Sequence, residues 1–101
     1  MNINHTRDLV RLANTFYDST GVSPQERQQD LDHVALCTWA FVRAMKRHLS
    51  PQEDDEAAFQ KELYEKLPPQ QAEKIIDAAH RPNRALQDLS YAIDSLPMHF
   101  M

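Results

Sequence analysis

Apolar residues recur along most of this chain at three- and four-residue steps, the spacing of a helical face. The densest stretch runs from Leu31 to Leu49. There Leu31, Val34, Ala35, Thr38, Val42, Met45 and Leu49 mark one stripe, and Leu36, Cys37, Ala40, Phe41 and Ala44 mark a second, with Trp39 beside it. An ordinary surface helix has one apolar stripe. A helix apolar nearly all round is a central post of a bundle, or is covered by partners. Its uncharged run, Val34 to Val42, is nine residues, whereas a membrane span needs about 20.

The flanking segments repeat the helical pattern. Leu9, Leu12, Ala13 and Phe16, widened by Val10 and Tyr17, predict a helix that starts almost at Met1 and stops near Gly21. Ser23-Pro24-Gln25-Glu26 is a start signal for the central helix: a Ser N-cap, a Pro at the first helical position and a Glu three residues on. The same four letters at Ser50-Pro51-Gln52-Glu53 predict the start of a third helix, whose face is Phe59, Leu63, Tyr64 and Leu67. Pro68-Pro69 ends it. Ala72, Ile75, Ile76 and Ala79 predict a short fourth helix. Pro82 disfavours helical geometry at Arg81, so a break is expected there. A last helix then carries Leu86, Leu89, Ile93 and Leu96 inward, with Pro97 bending or ending it. The pattern predicts an all-α bundle of about five helices around a central helix over about 24–49. The whole chain, 1–101, reads as a single helical region.

Composition removes several functions. The chain has 101 residues and one Gly, too few glycines for a phosphate-cradling loop. Its net charge of −4 gives no electrostatic case for nucleic acid. Cys37 is alone, so no internal disulfide can form. The first twenty residues lack the apolar core of a signal peptide. No pair of the five histidines has the three- or four-residue spacing of helical metal ligands. No serine sits in a nucleophile elbow. Neither an enzyme nor a cofactor or metal is expected. The acidic run Glu53 to Glu56 reads as a solvated face matched to a helix N-terminus, and Arg43, Lys46, Arg47 and His48 as cations matched to a helix C-terminus. Trp39 and Phe41 read as packing residues, with Trp39 buried. For the turn at Arg81-Pro82-Asn83 two readings stand. It is a capped helix start with solvated arginines, or Arg81 ties the turn to a carboxylate or to backbone carbonyls of another helix.

Three stretches, in order, resemble the bestrophin-like anion channels, the bacterial, plant and algal branch especially. They are Asn4-His5-Thr6-Arg7-Asp8-Leu9-Val10, then Trp39-Ala40-Phe41-Val42-Arg43-Ala44-Met45-Lys46-Arg47-His48-Leu49, then His80-Arg81-Pro82-Asn83-Arg84-Ala85-Leu86. The resemblance implies an interior, extramembrane slice of a membrane channel, on its cytosolic or stromal side. It implies neighbouring subunits of a homo-oligomer, a pentamer, as partners and chloride or bicarbonate as the permeating ion. It implies a scaffold role for Trp39 and Phe41 of the central helix and for Arg81, Pro82 and Asn83. The acidic calcium clasp of the animal members has no counterpart here, and no pore constriction maps onto a residue of this chain. The alternative is a self-contained soluble helical interaction module whose exposed apolar face binds a partner helix.

Overall fold

The computed structural model describes residues 23–96. Among these residues the chain is all-α, with four helices and no strand: α1 Pro24–Leu49, α2 Glu56–Lys66, α3 Pro69–Ile76 and α4 Arg81–Asp94. The expected first helix and the segment from Pro97 onward lie outside the described residues. No helix among the described residues is long and apolar enough to cross a membrane.

The central helix is as long as its pattern predicts, 26 residues, or about 39 Å at 1.5 Å per residue. Ser23 is extended and its hydroxyl accepts from the Glu26 N–H at 3.1 Å, while Pro24 opens the helix. Lys46, Arg47 and His48 occupy the last turn, where cations oppose the negative end of the dipole.

The second Ser-Pro-Gln-Glu does something else. Ser50 closes α1, its backbone N–H donating to Lys46 O at 3.0 Å. Residues 51–54 form a turn, and α2 begins only at Glu56. Asp55 is its N-cap, accepting from the Ala58 N–H at 3.2 Å. Asp55 is an equally good cap, and the later start frees Asp54 to turn inward.

Two prolines shape the next junction. Pro68 holds Leu67 extended, and Pro69 sits in the first turn of α3. That helix ends at Ile76, which leaves Ala79 outside it and exposed. The following break falls one residue earlier than the sequence suggests. His80 is the extended residue, and its ring Nδ1 accepts from the Asn83 N–H at 3.3 Å. Arg81 is therefore the first residue of α4, not an extended residue before it.

The largest differences from the sequence pattern concern which faces are inward. On α1 the buried residues are Cys37, Ala40, Arg43 and Ala44. Of the other stripe, Val42 and Leu49 are 59% and 69% exposed, while Leu31, Val34 and Met45 are half-buried. On α4 the buried residues are Pro82, Ala85 and Ala92, while Leu86 is exposed and Leu89, Ile93 and Leu96 are half-buried. The reason is that α1 and α4 make the most extensive helix–helix contact among the described residues. Small residues on both helices let the backbones approach, and bulky residues are displaced to the flanks. The large core side chains come from elsewhere: Phe59, Leu63 and Leu67 from α2 and its end, and Ile75 from α3. Tyr64, expected inward, is half exposed.

Candidate functional site

Arg43 is the one charged residue on the buried face of α1. A guanidinium cannot lose its proton to escape burial, so it must be paired. It is paired twice. Nη1 and Nη2 donate to the two carboxylate oxygens of Asp54 at 2.6 and 3.0 Å, and Nε and Nη2 donate to Glu62 at 3.2 and 3.0 Å. Arg43 and Asp54 are both 7% exposed. These contacts raise the Arg43 pKa above its ordinary value, the Asp54 bonds most and the Glu62 bonds next. They also lower both carboxyls below the usual carboxylate range.

A second set of bonds converges on Glu56, the first residue of α2. Arg81 donates to it through Nη1 and Nη2 at 2.6 and 3.0 Å, Arg47 through Nε at 3.1 Å, and Gln60 at 2.7 Å. Arg81 Nε also donates to Ile76 O at 3.0 Å, and Arg47 Nη1 to Pro51 O and Asp54 O at 3.1 and 2.9 Å. The Arg81 bonds, helped by Gln60 and Arg47, hold the Glu56 carboxyl down to about 2. The two sets meet at Phe59, which is fully buried. The guanidinium carbons of Arg43 and Arg81 each lie 5.2 Å from its ring centroid, within cation–π range.

Three arginines thus face three carboxylates, with matched charge and nearly complete hydrogen bonding. Such a hub fixes geometry; it leaves no free charge or poised base for chemistry. It joins α1, the 51–54 turn, α2, the end of α3 and the start of α4. The acidic run is therefore not simply a solvated face. Asp54 and Glu56 are hub members and Asp55 is a helix cap, which leaves Glu53 as its exposed end.

A pH dependence follows. Glu56 has a folded pKa depressed from 4.5 to about 2, so its contribution is full above its unfolded value and is lost as pH falls through the folded one. Asp54 and Glu62 shift in the same direction. Stability measured by denaturant titration is expected to be flat from neutrality to about pH 5 and to fall steadily below. A maximum below pH 4 would contradict the hub.

Of the residues singled out from sequence, the hub takes Arg81. Pro82 is fully buried beside it, and the Asn83 backbone completes the His80 cap. Trp39 and Phe41 pack against the core cluster but are only partly buried. Trp39 is thus less enclosed than expected, and Lys66 Nζ lies 5.1 Å from its ring centroid. The pairing of Arg43 and Arg47 with Asp54, Glu56 and Glu62 escaped sequence reasoning, which read the first four as separate dipole-matched charges. The available signal was Arg43 itself, which shares a helix face with Ala40, Ala44 and Arg47.

Cys37 lies away from the hub. Its Sγ is 3.8 Å from His33 Nε2 and accepts from Gln71 Nε2 at 3.6 Å. Burial raises its pKa, and the nearby Asp88 raises it further against the opposing Gln71 bond. A nucleophilic thiol needs the opposite shift. His48 and His80, 32 residues apart in sequence, touch with ring centroids 4.7 Å apart. The His80 cap engages the Nδ1 lone pair, so its ring proton belongs on Nε2 and no metal can bind there without breaking the cap. Among the described residues no group of three or more His, Cys, Asp or Glu could hold a metal.

Comparisons with curated proteins and with solved structures gave no match. A family model described as bacterial/fungal bestrophin protein matches residues 1–99. That match spans α1, the arginine hub and the His80-to-Leu86 turn alike, and on it the chain belongs to the bacterial/fungal bestrophin family.

Proposed function

We propose that this chain is the extramembrane helical scaffold of a bestrophin-type anion channel, carrying chloride or bicarbonate in the complete assembly but forming no pore itself. The reading includes no catalysis. Anions pass such a channel by electrostatics and desolvation, without bond making. Neighbouring subunits of a homo-oligomer, a pentamer by family resemblance, are its partners.

The observation that carries the reading is the family match over residues 1–99, joined to the lack of a membrane-capable helix among the described residues. Two features support it. The hub locks four elements into one register, as a scaffold requires. Val42, Leu49 and Leu86 stand exposed on outward faces, where an assembly would cover them.

The test is Arg81→Ala in the channel expressed from its complete gene. Removing Arg81 takes both guanidinium bonds from Glu56 and frees the α3–α4 turn. Pentamer yield on size exclusion is expected to fall several-fold, while anion selectivity of the surviving channels in liposome flux stays unchanged. Normal yield would defeat the scaffold reading. Altered selectivity at normal yield would assign Arg81 to permeation. A complete gene without flanking apolar spans of about 20 residues would favour the interaction module instead.

A further inference from the structure

Away from the hub, one cleft collects polar groups whose hydrogen bonding is incomplete. It lies between α1, α3 and α4 and measures about 470 Å3, within the range of small-molecule sites. His33, Gln71, Lys74, Arg84, Asp88 and Tyr91 are among the residues that line it. Arg84 and Asp88 are paired along α4, Nη2 to Oδ1 at 3.2 Å, and Arg84 Nη1 donates to Gln87 at 3.3 Å. Arg84 Nε, a donor, and Asp88 Oδ2, an acceptor, are buried without a partner. The Gln71 amide donates to the Cys37 thiol, a weak acceptor. Two unpartnered atoms of α4, one donor and one acceptor, therefore belong to one cleft, with the Gln71 amide beside them.

Charge narrows what could meet them. The lining carries two cations, Lys74 and Arg84, and a single carboxylate, Asp88, an excess of one positive charge among its Lys, Arg and Asp side chains. A divalent cation is opposed by the two cations, and a dianionic phosphate by Asp88. A plain carboxylate satisfies Arg84 and Lys74 but has no donor for Asp88. A neutral alcohol has the donor but leaves the excess charge unmet. A monoanion with a carboxylate and an adjacent hydroxyl meets the Arg84 donor, the Asp88 acceptor and the excess charge together.

The geometry points to this cleft as a binding site for a small hydroxycarboxylate. The carboxylate sits toward Lys74 and the Arg84 guanidinium, and the hydroxyl donates to Asp88. Arg84 is one-third exposed, so a turn of its side chain against Asp88 opens both orphaned atoms to the ligand. Tyr91, 77% exposed at the rim, supplies an apolar wall. The inference is independent of the channel reading.

Equilibrium dialysis of radiolabelled L-lactate against the purified 101-residue chain tests it, and the method tolerates any state of association. Saturable retention is expected. Propionate, which lacks the hydroxyl, and lactamide, which lacks the charge, should each compete roughly tenfold more weakly, about one hydrogen bond's difference. Arg84→Lys should weaken lactate binding but could also loosen α4, so Lys74→Gln at an exposed position is the decisive variant. It should weaken lactate roughly tenfold and leave competition by lactamide unchanged, with an unaltered helical circular-dichroism signal. Non-saturable retention, propionate competing as well as lactate, or wild-type lactate binding in Lys74→Gln would each overturn the site.

Discussion

Phe59→Ala is expected to destabilise the fold by about 3–5 kcal/mol, the range for truncating a fully enclosed aromatic side chain. Phe59 is 0% exposed and belongs to the cluster built by Leu63, Leu67, Ala72, Ile75 and the alanines of α1 and α4. Its ring also carries the guanidinium groups of Arg43 and Arg81, so its loss removes the surface on which the hub rests. A small domain is stable by about 5–15 kcal/mol, so this change alone removes a large share of that margin. Urea denaturation followed by circular dichroism gives the value. Phe59→Leu separates the two contributions: it keeps most of the volume and loses the π face, and should cost about 1–2 kcal/mol. If Leu were as damaging as Ala, the arginine contacts would dominate over packing.

Arg43→Ala is expected to cost about 3 kcal/mol. Breaking a buried pair from one side typically costs about 3–5 kcal/mol, because the abandoned charge remains in a desolvated site. The lower end applies because Glu62, one of the two partners, has a side chain 43% exposed and can turn to water. Asp54, 7% exposed, cannot do so without opening the 51–54 turn. The Arg43→Ala/Asp54→Ala double variant should therefore lose less than the sum of the single losses, with a coupling of about 0.5–3 kcal/mol. A single-variant loss below about 1 kcal/mol would place the pair among ordinary surface bridges. The two substitutions also differ in salt response. The Arg43 effect should shrink only modestly at high ionic strength, since buried pairs are screened little.

Periodicity and capping letters located the four helices of the described residues, though not the start of α2 or the end of α3. Ser23-Pro24 opened α1 where the pattern put it, and the apolar steps over Phe59-Leu63-Leu67 and Ala72-Ile75 gave the core contributions of α2 and α3. Those signals are local: a cap is a bond between residues three apart, and a helical stripe is a one-turn regularity. Family membership was legible for a similar reason, because three short stretches carry it in order and the match over residues 1–99 agrees.

Tertiary structure alone decided which stripe faced inward. The helix apolar on two sides buried the side with Cys37, Ala40 and Ala44, because α4 offered Pro82, Ala85 and Ala92 to it, and small residues pack backbones close. Hydrophobicity ranks Leu86 and Val42 above any alanine and so points the wrong way. The same limit hid the hub. Arg43 pairs with residues 11 and 19 positions on, and Arg81 with one 25 positions back. An arginine's reach is set by where the chain folds, and no spacing rule along one helix encodes it. Even the second Ser-Pro-Gln-Glu kept its letters but not its role, because Asp54 was drawn to Arg43 and Asp55 was left to cap α2.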